Sequence, residues 1–96
     1  DFTDAADKID LAFTASAVLH ATGVTFTDAA SAQTYAQALL SGSTGTHGTE
    51  VAAISVGADT YLFFHGDGSN DTINSAIKVG GVADTVFNVG TGSDFI

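Results

Sequence analysis

The chain has 96 residues, enough for one domain that buries roughly 60–65% of the surface its unfolded form would expose. Eleven acidic residues stand against two lysines and no arginine. The resulting formal net charge of −9 excludes nucleic-acid binding by charge neutralisation and disfavours binding to anionic membranes. Cysteine is absent, which excludes disulfides and thiolate metal sites, and no apolar run approaches the roughly 20 residues that a membrane-inserted helix requires.

The first eleven residues carry an aspartate at every third position, with Phe2, Ile9 and Leu11 as apolar anchors. Two interpretations stay open. The aspartates can lie in the turns of an entry loop that leads into a short strand, or their carboxylates can converge on a cation. On the second interpretation Asp7 and Asp10 are candidate calcium ligands.

The segment 15–22 is predicted to form one or two helical turns that Gly23 ends. His20 then stands near the end of a helix, where the macrodipole favours it. The next three residues, 24–26, are β-prone.

A longer helix is predicted over residues 29–40. Thr27 or Asp28 supplies the N-cap, and Ser41 and Gly42 end the helix. One face of this helix is apolar and carries Tyr35, Ala36, Leu39 and Leu40.

The second half of the chain reads as β-structure, with a turn at 66–70 between two of its strands. The apolar run Tyr61–Phe64 predicts a strand that is covered on both faces. We therefore expect residues 1–96 to form a single domain that is mainly β with one α-helix, a β-roll or a β-sandwich. The strands are predicted at 51–56, 60–64, 73–79 and 86–89.

The last eight residues match the calcium-binding nonapeptide Gly-Gly-x-Gly-x-Asp-x-(large apolar), except that Val89 replaces the first glycine. Glycines let the backbone turn and point carbonyl oxygens at a cation, and the aspartate adds a hard anionic oxygen. This pattern predicts that Gly90, Gly92 and Asp94 bind calcium.

Partial copies of the pattern occur upstream, in 57–61, in 66–73 and in 84–86. Aspartates 59, 71, 84 and 94 are 12, 13 and 10 residues apart, so the copies do not form a regular nine-residue solenoid. These segments add four candidate calcium ligands, Asp59, Asp67, Asp71 and Asp84.

The type of acidic residue also favours calcium, because ten of the eleven are aspartate and Glu50 is the single glutamate. Aspartate is typical of turns and cation-binding loops. A domain this small that lacks disulfides needs another source of stability, and calcium suits so many aspartates. The alternative is that the acidity serves solubility alone.

Catalytic motifs are missing from the chain. There is no nucleophile elbow, no His-Glu-x-x-His and no phosphate loop. His65 is followed by Asp67, which leaves zinc binding or a hydrolase fragment as minor alternatives. We interpret the chain as having no catalytic site.

Several segments, in order, resemble the C-terminal region of RTX proteins, which are secreted by the bacterial type I pathway. Asp1-Phe2 with residues 7–11 resembles the segment after the calcium-binding β-roll, and 57–62 and 76–82 resemble the two strands near the C-terminus of that family. The helical segment 32–40 is similar to the terminal region of a proteobacterial S-layer protein of this group. The chain departs from the family in lacking a tandem nonapeptide array and in having Ala12 where serine is common.

The resemblance implies a secreted, cell-surface module that stays unfolded in the calcium-poor cytosol and folds on calcium outside. It also implies passage through an ATP-driven type I secretion transporter and possible self-association in a surface lattice. Residues 94–96 suit a C-terminal secretion signal, and the same residues complete the nonapeptide. We expect the chain to be a piece of a longer protein. The rival hypothesis is a metal-free structural or adhesive β-domain.

Overall fold

The computed structural model describes residues 15–21, 25–42, 49–66, 68 and 72–81. They form one four-stranded sheet with the strand order β1-β2-β3-β4, together with one helix. The expectation of a mainly β domain with one α-helix is confirmed. The elements are β1 (Ala17–His20), α1 (Ala29–Gly42), β2 (Glu50–Val56), β3 (Asp59–Phe64) and β4 (Ser75–Val79).

The sheet combines a parallel pair with an antiparallel meander. β1 runs parallel to β2, and α1 lies between them in the chain, as a parallel neighbour requires a crossover. β2, β3 and β4 are successively antiparallel. α1 packs on β2 and β3. Within the described ranges, the face of β2 and β3 on which α1 packs is therefore covered by this helix and not by a second sheet.

The prediction of helical turns over 15–22 is wrong, because Ala17–His20 is a strand. Its residues pair with the start of β2, Val18 opposite Val51 and Leu19 opposite Ala52. Local preference for helix is weak, and this long-range pairing overrides it. His20 accordingly lies in a strand and not at a helix end.

The β2–β3 hairpin closes through the two residues Gly57 and Ala58. Gly57 has φ 61°, the positive value that the first position of a type I′ or II′ turn requires. The predicted strands 51–56 and 60–64 are confirmed, each beginning one residue earlier. The predicted strand 73–79 begins at Ser75. The predicted strand 86–89 and most of the predicted turn 66–70 lie outside the described residues.

α1 begins at the predicted position and ends two residues later than predicted, at Gly42. Asp28 is its N-cap, because its Oδ1 accepts a hydrogen bond of 2.8 Å from the backbone N–H of Ser31. The hydroxyl of Ser31 donates to Oδ2 over 3.2 Å. These hydrogen bonds lower the pKa of Asp28 below 3.8, and the one from the Ser31 backbone has the larger effect.

A lowered pKa makes the Asp28 cap pH-dependent. The folded state gains stability from the carboxylate above the unfolded pKa, and loses it as the pH falls through the folded pKa below 3.8. An asparagine in its place would cap the helix without titrating. We expect Asp28→Asn to have a lower free energy of unfolding than the native chain at neutral pH. This gap in the free energy of unfolding should close in acid. Urea unfolding of both proteins from pH 7 down to about pH 2.5 measures this gap, and a gap independent of pH would contradict the assignment.

The core lies on both faces of the sheet. Leu62, Phe63 and Phe64 are consecutive and buried, so that alternate side chains of β3 are buried on opposite faces. This confirms the prediction of a strand covered on both faces. On the helix side the buried residues are Ala32, Ala36, Leu40, Ala52, Ile54, Phe63 and Ile73. On the other side they are Ala15, Val51, Ala53, Leu62 and Phe64.

Candidate functional site

One of the nine predicted calcium ligands, Asp59, lies among the described residues. The other eight are outside them, namely Asp7, Asp10, Asp67, Asp71, Asp84, Gly90, Gly92 and Asp94. Asp59 is the first residue of β3 and follows the two-residue turn.

The carboxylate of Asp59 contacts the far end of β4. Its Oδ1 accepts a hydrogen bond of 2.9 Å from the backbone N–H of Gly81, and its Oδ2 lies 3.6 Å from Nζ of Lys78. Gly81 has φ 71°, so a side chain there would strain the backbone. The Lys78 side chain is 58% exposed, and such a surface ion pair contributes at most about 1 kcal/mol. Asp59 thus joins the start of β3 to the turn after β4.

No group of three or more histidine or acidic side chains that could hold a metal ion occurs within the described ranges. The role of Asp59 as a calcium ligand stays a prediction.

A second cluster of polar contacts joins the described ends of the β3–β4 connection, residues 65–74, whose sequence includes Asp67 and Asp71. The backbone N–H of Gly66 donates to Oδ1 of Asn74 over 2.7 Å, and the N–H of Asn74 donates to the Phe64 carbonyl over 3.1 Å. A Cβ on Gly66 would lie 2.9 Å from Oγ of Ser75, so a larger residue here would require the Ser75 side chain to move.

His65 joins the two ends of the same connection. Its Nδ1 lies 2.7 Å from the carbonyl oxygen of Thr72. Because a carbonyl oxygen only accepts, Nδ1 carries the proton and donates it. The N–H of Gly68 in turn donates to the His65 carbonyl over 2.9 Å. In this arrangement His65 acts as a structural donor. Its predicted zinc partner Asp67 lies outside the described residues, and the absence of a catalytic site stays a prediction.

Gln37 on α1 makes a contact that the sequence did not indicate. Its Oε1 accepts a hydrogen bond of 2.8 Å from the backbone N–H of Ile73, and its Nε2 donates to Oγ of Ser41 over 3.1 Å. Gln37 and Ile73 are 36 positions apart, and no local pattern marks such a pair. The helix is thereby bonded to the end of the β3–β4 connection.

Comparison of the chain with models of protein families, with curated protein sequences and with solved structures found no match. Within the part of the chain that the structure describes, α1 is too short and too polar to cross a membrane.

Proposed function

We propose that this chain is a calcium-binding module of a type I-secreted, extracellular protein, and that calcium stabilises its folded state. The observation that carries the proposal is the concentration of ten aspartates in 96 residues, several of them in glycine-containing segments such as 66–71 and 90–94. The hydrogen bonds that close the ends of the β3–β4 connection support it, because they hold the residues flanking one such segment.

The physical basis is the repulsion within an acidic chain. A net charge of −9 on a compact domain opposes folding, and carboxylates brought together without cations add to this repulsion. Calcium is bound by about six to eight oxygens at about 2.3–2.6 Å, which replaces repulsion with attraction. Sites with Kd values of about 0.1–1 mM are filled outside the cell and empty in the cytosol. Calcium would then favour the folded state by mass action.

The resemblance to the RTX C-terminal region supports the secretory part of the proposal. In that context the chain would pass through the type I secretion transporter while unfolded and would fold at the cell surface. Calcium-dependent self-association in a surface lattice is the further role that the S-layer resemblance suggests. Light scattering with and without calcium separates a lattice role from that of a secretion tail alone.

A metal-free structural or adhesive domain is the second candidate, and it too has support. Asp28 caps α1 and Asp59 joins β3 to the turn after β4, so both described aspartates make contacts within the protein. If the remaining aspartates behave in the same way, the acidity serves turn formation and solubility.

A calcium titration of the intact chain, followed by thermal unfolding, tests the proposal. When the calcium concentration is ten times Kd, a single site adds about 1.4 kcal/mol of stability, which raises Tm by about 6–11 °C in a domain of this size. Sodium chloride at equal ionic strength should not reproduce the shift. A calcium-independent Tm on a folded chain would refute the proposal and favour the metal-free domain.

Single substitutions locate the effect. We expect Asp71→Asn, Asp84→Asn or Asp94→Asn to reduce the calcium-induced rise in Tm, because each removes an anionic oxygen from a predicted ligand. Asp28→Asn is the matched control. It changes an aspartate whose carboxylate caps α1, and it should leave the calcium-induced rise unchanged.

A further inference from the structure

The contact between α1 and the β3–β4 connection has a specific geometry. Ile73 is 9% exposed and packs in the helix-side core with Ala36 and Leu40. Its backbone N–H is bonded to Oε1 of Gln37 over 2.8 Å. The end of the connection is therefore attached to the helix by a buried apolar side chain and by a hydrogen bond to the main chain.

The two described ends of the connection are also bonded to each other. Asn74, the residue after Ile73, accepts from the Gly66 N–H, and His65 donates to the carbonyl of Thr72, the residue before Ile73. Loss of these two hydrogen bonds would free the residues on both sides of Ile73 to move. The N–H of Ile73 would then lose its alignment with Gln37, since hydrogen bonds weaken steeply away from linear geometry.

We propose that Gln37 is a positioning residue that couples α1 to residues 72–74, the described end of the β3–β4 connection, so that loosening of this end also loosens α1. The coupling is a property of described residues alone. Its functional consequence rests on the proposed function: calcium that stabilises the connection would protect α1 as well, through Gln37. The stability of α1 would then depend on whether calcium is bound at the connection.

Amide hydrogen exchange in calcium-free buffer tests the coupling. Asn74→Ala removes the acceptor of the Gly66 N–H and loosens the connection. In the native background this change should speed exchange of the α1 amides by about fivefold, the equivalent of one hydrogen bond. In a Gln37→Leu background Asn74→Ala should leave α1 exchange unchanged while still speeding exchange of the Gly66 amide. Gln37→Ala repeats the test with a smaller side chain.

Two control variants distinguish coupling from a loss of helix stability. Gln33→Leu makes the same change at an exposed position of α1 and should retain the full response to Asn74→Ala. Gln37→Glu keeps an acceptor oxygen for the Ile73 N–H and should also retain it. The proposal would be overturned if Asn74→Ala did not speed exchange of the α1 amides in the native background. It would also be overturned if Asn74→Ala sped this exchange equally with and without Gln37.

The calcium arm separates the two proposals. If calcium changes exchange nowhere in the native chain, the proposed function fails, while the calcium-free result still decides the coupling. If calcium protects α1 in the native chain and equally in Gln37→Leu, the calcium-binding function stands and Gln37 is not the route. If calcium still protects the amides of the connection in Gln37→Leu but no longer protects those of α1, the result supports both the calcium-binding function and the coupling through Gln37.

Discussion

Phe63→Ala is expected to have the largest effect on stability of any single substitution in the described core. Phe63 is 1% exposed, lies in β3 among the helix-side core residues, and stacks on Tyr61 with ring centroids 5.8 Å apart. Removing a buried phenylalanine side chain costs about 3–5 kcal/mol, because apolar burial is lost and a cavity remains. Against a total stability of about 5–15 kcal/mol this leaves a marginal domain. Urea unfolding followed by circular dichroism measures the loss.

Phe26→Ala is the matched control for Phe63→Ala. Phe26 is half-buried at the margin of the same core, with its ring 5.4 Å from that of Tyr35. Because this ring keeps part of its exposure to water, its truncation should cost less than truncation of Phe63. Equal losses in the two variants would contradict the assignment of Phe63 to the centre of the core.

Ala36→Leu is expected to destabilise the fold by overpacking. Ala32 and Ala36 on α1 and Ala52 on β2 are all 0% exposed, so small side chains set the distance between helix and sheet. A leucine at 36 must displace the helix or adopt a strained rotamer, at about 1–3 kcal/mol. Helix propensity does not explain such a loss, since leucine is nearly as good a helix former as alanine. The free energy of unfolding from urea titration measures the change.

The same substitution on the outer face of the helix provides the control. Ala38 is exposed, and Ala38→Leu should change the free energy of unfolding by less than about 0.5 kcal/mol. If both leucine variants lose stability equally, the interface between α1 and β2 is not close-packed at Ala36.

The sequence predicted those elements whose signals are local. The cap at Asp28 and the apolar period placed α1, and the apolar run ending at Phe64 placed β3 and its burial on both faces. β1 was missed because the pairing that makes it a strand lies in β2, 33 positions along the chain. Propensity over so short a segment is a weak indicator beside that pairing.

The candidate site was predictable only in part, for the same reason. Glycine and aspartate spacing singles out Asp59 as a candidate calcium ligand, which stays a prediction, and the structure places it directly after the β2–β3 turn. The partners of its carboxylate, Gly81 and Lys78, come from another strand and its following turn, which spacing does not specify. Gln37 and Asn74 likewise act on backbone groups that become neighbours only after folding.

The parallel pairing of β1 with β2 orders the assembly of the sheet through chain entropy. β1 pairs with residues of β2 that are 33 positions along the chain, whereas β2 and β3 meet across a turn of two residues. Loop closure over the longer distance loses more entropy before any hydrogen bond forms. The antiparallel meander is therefore the local part of the fold. Among the described strands, β1 is the one whose detachment loses the fewest contacts between residues close in sequence, so we expect it to detach first.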